Sequence, residues 1–134
     1  MRRLLIAVLL AAACTAPVDP AVGVWTWKPN GAFPIEARFL PVYLFEPDGQ
    51  VIAVNEGLAS IERGAWRRDA AGRLFLRMDS EGAERPLRPE GEALAPGGLP
   101  GEAWAPPEPA MFPLRDEEAD AARARAVAYL RRNR

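Results

Sequence analysis

Three short turns of one kind punctuate the run from Val42 to Leu87 and restrict what it can fold into. Glu46-Pro47-Asp48-Gly49, Asp69-Ala70-Ala71-Gly72 and Asp79-Ser80-Glu81-Gly82 each place an acid at the first position and a glycine at the fourth. That is the preference of a type I turn, and Pro47 adds the fixed φ that suits the second position. The segments between these turns are short and rich in β-branched and aromatic residues. Three reversals joined by such segments predict an antiparallel meander.

Side-chain alternation places the strands. Ala21 to Trp27 sets Val22, Val24 and Thr26 against Trp25 and Trp27, apolar on both sides, as in a strand covered on both faces. Lys28-Pro29-Asn30-Gly31 reads as a further turn. Val42 to Phe45 pairs across Pro47-Asp48-Gly49 with Val51 to Val54. Ile61 to Asp69 has Trp66 on one side and Arg63, Ala65 and Arg67 on the other, and Arg73 to Asp79 alternates Leu74, Leu76 and Met78 with Arg73, Phe75 and Arg77. Ala32 to Leu40 alternates as well, but Pro34 and Pro41 confine any strand there to a sheet edge, and Pro86 and Pro89 do the same for Ala83 to Arg88. The expected fold class is all-β: an antiparallel meander of about six strands over residues 21–88, closing into a partial or full barrel.

From Pro86 to Pro113, 28 residues hold eight prolines and four glycines, a composition that neither helix nor sheet tolerates. Residues 89–114 are therefore expected to be irregular. They still carry Leu94, Leu99, Trp104, Met111 and Phe112, which leaves two readings: a segment lying along the barrel with Trp104 docked, or a disordered linker. Residues 115–134 predict a helix from Glu117 to about Arg132, capped by Asp116, with acids in its opening turns and Arg131 and Arg132 at its close, where they suit the helix dipole. Its inner stripe is Ala119, Ala122, Ala126, Tyr129 and Leu130, which buries little area and predicts weak docking. The basic end formed by Arg123, Arg125, Arg131, Arg132 and Arg134 is either a solvated helix end or a contact for anionic lipid or a partner.

The first thirteen residues stand apart from this domain. Met1-Arg2-Arg3 is a basic start, Leu4 to Leu10 an apolar run too short to span a bilayer, and Ala11-Ala12-Ala13 supplies small residues before Cys14, the layout of a secretory signal. Cys14 is the only cysteine and so forms no disulfide within the chain. Leu10-Ala11-Ala12-Ala13-Cys14 resembles the lipobox of bacterial lipoproteins, with Ala11 where leucine is commoner. The resemblance implies cleavage before Cys14, acylation of that residue, palmitate among the acyl chains, and a membrane anchor; Thr15 after it is similar to members sorted to the outer membrane and facing the periplasm. The other reading is an ordinary Ala-x-Ala cleavage. Residues 14–20, with Pro17 and Pro20, would then be a tether.

Reactive chemistry is scarce. The chain has no histidine, which removes the commonest general base and metal ligand and every His-based triad. Ser60 and Ser80 lie in no Gly-x-Ser-x-Gly setting, and no glycine-rich phosphate loop is present. Asp79, Glu81 and Glu84 lack the spacing of a calcium loop, and the acid pairs Glu46/Asp48 and Asp69/Asp79 are already explained as turn residues. With a net charge of −1 and no clustered basic surface interleaved with aromatics, nucleic acid is not an expected partner. Neither an enzymatic activity nor a cofactor or metal is expected.

Gly23-Val24-Trp25 is similar to the Gly-x-Trp that opens the first strand of small lipocalin-like envelope proteins, and a meander followed by a helix keeps that family's order. The resemblance implies that Trp25 is a structural plug under the barrel floor. It also implies that Trp27, Tyr43, Phe45, Trp66 and Phe75 are the candidates for lining a small apolar cavity; plain core packing is the alternative. The expected function is a non-enzymatic, lipid-anchored envelope protein that binds an apolar small molecule or a periplasmic protein. A structural or assembly accessory acting through the Pro-rich segment and the basic helix is the second reading.

Overall fold

The computed structural model describes residues 17–27, 36–97 and 109–133. Within them the chain forms β1 (Gly23–Trp27), β2 (Val42–Phe45), β3 (Gln50–Asn55), β4 (Ser60–Arg68), β5 (Leu74–Met78), β6 (Arg85–Glu90), β7 (Ala93–Pro96), β8 (Met111–Pro113) and the helix α1 (Asp116–Arg132). Each strand pairs antiparallel with its neighbour in sequence, and β8 returns to pair with β1 through Trp25↔Pro113, Thr26↔Phe112 and Trp27↔Met111. The result is a closed eight-stranded barrel with a C-terminal helix, of the all-β class that the turn pattern predicts.

Two of the three diagnostic turns form as expected. The Gly49 N–H donates to the Glu46 carbonyl (3.1 Å) and the Gly72 N–H to the Asp69 carbonyl (3.0 Å), with φ of +89° and +82° at the two glycines, a conformation L-residues avoid. The Asp69 carboxylate also accepts the backbone N–H groups of Arg73 (2.9 Å) and Ala71 (3.0 Å). The third reversal closes one residue early. Glu81 and Gly82 both donate to the Met78 carbonyl (3.0 and 3.1 Å), because Asp79 is still held by the Arg63 carbonyl at 2.8 Å in the β4–β5 ladder.

The structure corrects the strand map in three places. Residues 37–39 of the expected Ala32–Leu40 strand form a 3-10 turn, Ala37–Phe39, and residues 32–35 lie outside the described set. The turn is held by Gly57 N–H on the Arg38 carbonyl (2.6 Å) and Asn55 Nδ2 on the Phe39 carbonyl (2.8 Å). Secondly, there are eight strands where about six were expected, because the segment 89–114, expected to be irregular, supplies β7 and β8 and with them the closure of the barrel.

Thirdly, β6 is not an edge, despite Pro86 and Pro89: it lies between β5 and β7. The Pro86 carbonyl accepts from Gly97 (2.8 Å), so its donor-less nitrogen faces the same side, opposite a residue just past the end of β7. Pro89, three residues on, faces β5, whose first residue Leu74 lies opposite Leu87. Each proline therefore puts its missing N–H where the neighbouring strand has already ended. Trp104 and the Lys28-Pro29-Asn30-Gly31 turn lie outside the described residues.

Inside, Trp25, Phe45, Val51, Leu74, Leu76, Met78, Leu87, Leu94 and Met111 form one buried cluster. The outer surface divides in two. Over β1–β3, Val24, Leu44 and Val54 pack with Ala126 of α1, flanked by Ala119, Ala122, Tyr129 and Leu130: the predicted alanine stripe meets the sheet, and small side chains let the helix lie close. Ion pairs from Arg123 to Glu46 (2.9 Å) and from Arg125 to Glu56 (3.5 Å) also bridge the helix to the barrel. Over β4–β6 the outward positions carry Arg63, Arg67, Arg77 and Arg88. An apolar interior with a charged exterior inverts the pattern of a membrane-spanning barrel. At the start of α1, Asp116 is not the cap: it is the first helical residue, at φ +49°, and Arg115 precedes it without a side-chain cap bond.

Candidate ligand-binding site

The barrel has two unlike ends. At one end the strands are joined by the short turns at 46–49, 69–72 and 91–92, and the segment before β1 crosses it. Ala21, 2 % exposed, packs into the core there. The Trp25 indole Nε1 donates to the Ala21 carbonyl at 3.0 Å, and its ring lies 6.2 Å from that of Phe45. Arg68 clamps Asp19 through two bonds of 2.6 and 2.8 Å, while Asp19 Oδ1 also accepts the Ala21 N–H (2.8 Å). The Arg68 hydrogen bond, with the Ala21 N–H assisting, holds the Asp19 carboxyl below its ordinary range, and Asp19 in turn raises Arg68. A hollow of about 410 Å³ touches this end, but the aromatic facing it, Trp25, is 6 % exposed and already hydrogen-bonded.

The other end carries the longer connections and a recess of about 370 Å³. Trp27, Tyr43 and Phe39 form its aromatic wall, with Pro41 and Ala53 beside them. Trp27 and Tyr43 are half-buried, their rings 6.4 Å apart and tilted by 41°. Leu58, 67 % exposed, makes an apolar lip. The polar side is Asn55, Ser60, Glu62 and Glu81. Asn55 is structural, donating to Phe39 and accepting the Leu58 N–H at 3.2 Å. Beside the recess Arg85, whose side chain is 4 % exposed, holds Glu81 through bonds of 2.6 and 3.1 Å.

The tryptophans distinguish the ends further. Trp25 and Trp66 each spend the indole N–H on a backbone carbonyl, those of Ala21 (3.0 Å) and Glu46 (2.8 Å), as buried indoles do. Among the described residues Trp27 has no such partner. A third hollow, between α1 and strands β2 and β3, measures about 40 Å³ and holds little more than a water molecule.

Of the five aromatic candidates, the structure brings Trp27 and Tyr43 together at the recess. Phe45 is wholly buried in the core, and Trp66 packs against that core from the closed-end side. Phe75 does not line the interior. It points outward on β5, between the guanidinium groups of Arg67 (4.8 Å) and Arg73 (5.9 Å), because Leu74, Leu76 and Met78 take the inward positions. Cys14 lies outside the described residues. Sequence reasoning missed Phe39, Glu62, Glu81 and Arg85. The inward parity of Glu62 with Trp66 was readable, whereas Phe39 is in the recess only because its segment is a turn.

Among the described residues no three His, Cys, Asp or Glu side chains converge as a metal site, and no helix is long and apolar enough to cross a membrane. Comparison with known proteins gives no match to any family model, any curated protein or any solved structure.

Proposed function

We propose that this is a lipid-anchored envelope protein that acts by binding, holding a small apolar molecule in the open-end recess. One observation carries the reading: above a solidly packed interior, Trp27 and Tyr43 present half-exposed aromatic surface to a concave space of about 370 Å³. Ligand sites are concave, mostly apolar and fixed by a few polar groups, which is the composition of this recess. The Gly23-Val24-Trp25 resemblance to lipocalin-like proteins supports the same reading, as does the absence of histidine from the whole chain. The anchor rests on Cys14 and the residues before it, and implies the outer membrane, facing the periplasm.

The accessory reading loses part of its footing, since Arg123 and Arg125 of the basic helix are paired with Glu46 and Glu56 of the barrel. Titration with fatty acids and with a fluorescent apolar probe, followed by tryptophan emission, tests the binding. A saturable change that Trp27→Phe abolishes is expected, and no change with any probe overturns the reading. Mass spectrometry of the processed protein tests the anchor: acyl chains on Cys14 are expected, and an unmodified thiol removes it.

A further inference from the structure

We infer that the open-end recess takes an amphiphile with a cationic head, an organic amine or quaternary ammonium on an apolar body, in preference to the matching carboxylate. This rests on the binding function above and names the class of its ligand. Among the described residues, two ionisable side chains line the recess, and both are acidic. Glu81 is neutralised by the buried Arg85. Glu62 has only the Ser80 hydroxyl, at 3.4 Å, and no cation paired with it among the described residues. Nearby, the charge of Arg38 is answered by Glu36 at 2.7 Å. Among the described residues, Glu62 is therefore the carboxylate of the recess without a paired cation, in the same hollow as Trp27 and Tyr43.

Aromatic faces attract cations through the ring quadrupole, and one of the aromatic residues of the recess, Phe39, already has a guanidinium, that of Arg38, 4.8 Å from its ring centre. A carboxylate head brought to the same place would meet Glu62 with like charge.

The test uses the full chain and three probes of one tail length, decyltrimethylammonium, decanoate and decanol, each below its micelle concentration, read by tryptophan emission. The ammonium is expected to bind about tenfold or more tighter than decanoate, as a single charge contact near a protein surface allows. Glu62→Gln should remove most of that difference; Glu62 is an exposed residue outside the core, so the variant should fold. Equal or tighter binding of decanoate, or an unaltered preference in Glu62→Gln, overturns the inference and leaves the binding function standing. No response to any of the three overturns both.

Discussion

The two ends of the barrel are built from the same alternation of strand residues and finish in opposite states. At the closed end the polar side chains are partnered: Trp25 and Trp66 donate to main-chain carbonyls, and Asp19 accepts from both Arg68 and Ala21. At the open end Trp27, one turn of the pleat further along β1 than Trp25, is only partly buried and has no N–H partner among the described residues. What differs is the connection. Tight turns join neighbouring strands at the closed end, whereas most connections at the other end are longer. A residue type therefore says little about role here, and its distance from a tight turn says more.

The sharpest way to break this comparison is to truncate the two tryptophans of β1. Trp25→Ala should cost about 3–5 kcal/mol, the usual loss for a large buried aromatic, and lower the thermal midpoint by many degrees. Trp27→Ala should cost about 1 kcal/mol, since a half-exposed ring returns less area to water, while removing the emission response to apolar probes. Equal losses, measured by denaturant titration, would show that the open end is core. Smaller still, Arg68→Ala should lower global stability by less than about 1 kcal/mol, as partly exposed ion pairs do, yet speed amide exchange at Ala21 and Val22.

The smallest effect is one of pH. Because Arg68 lowers the Asp19 pKa, the clamp contributes fully above the ordinary carboxylate value of about 3.9 and is lost as pH falls through the depressed one. Exchange at Ala21 should therefore rise only below about pH 4. Loosening near neutral pH would contradict the clamp.

How much of this was legible follows the range of the interactions. Glu46–Gly49 and Asp69–Gly72 are local, decided within four residues, and the sequence sufficed for them. The Ala119–Ala122–Ala126 stripe likewise announces the inner face of α1 through its spacing. Strands β7 and β8 were hidden because proline content is a local signal, while their formation is non-local. Pro86 and Pro89 are harmless only because β7 and β5 stop where they do, and β8 is a strand because Met111 completes the ring opposite Leu94 and Trp27. The recess was half legible for the same reason. Trp27 and Tyr43 follow from strand parity, but Phe39 needs a turn pinned by Gly57 and Asn55, and the pairing of Arg85 with Glu81 depends on where a reversal closes.

The strap formed by residues 17–22 leaves the barrel on the side away from Trp27, and three residues of fully extended backbone span at most about 10 Å, the reach from Pro17 to Cys14. A lipid attached at that cysteine would therefore turn the sealed base toward the bilayer and the mouth toward the aqueous compartment. On the proposed binding function, a ligand would then enter and leave the recess on the water side.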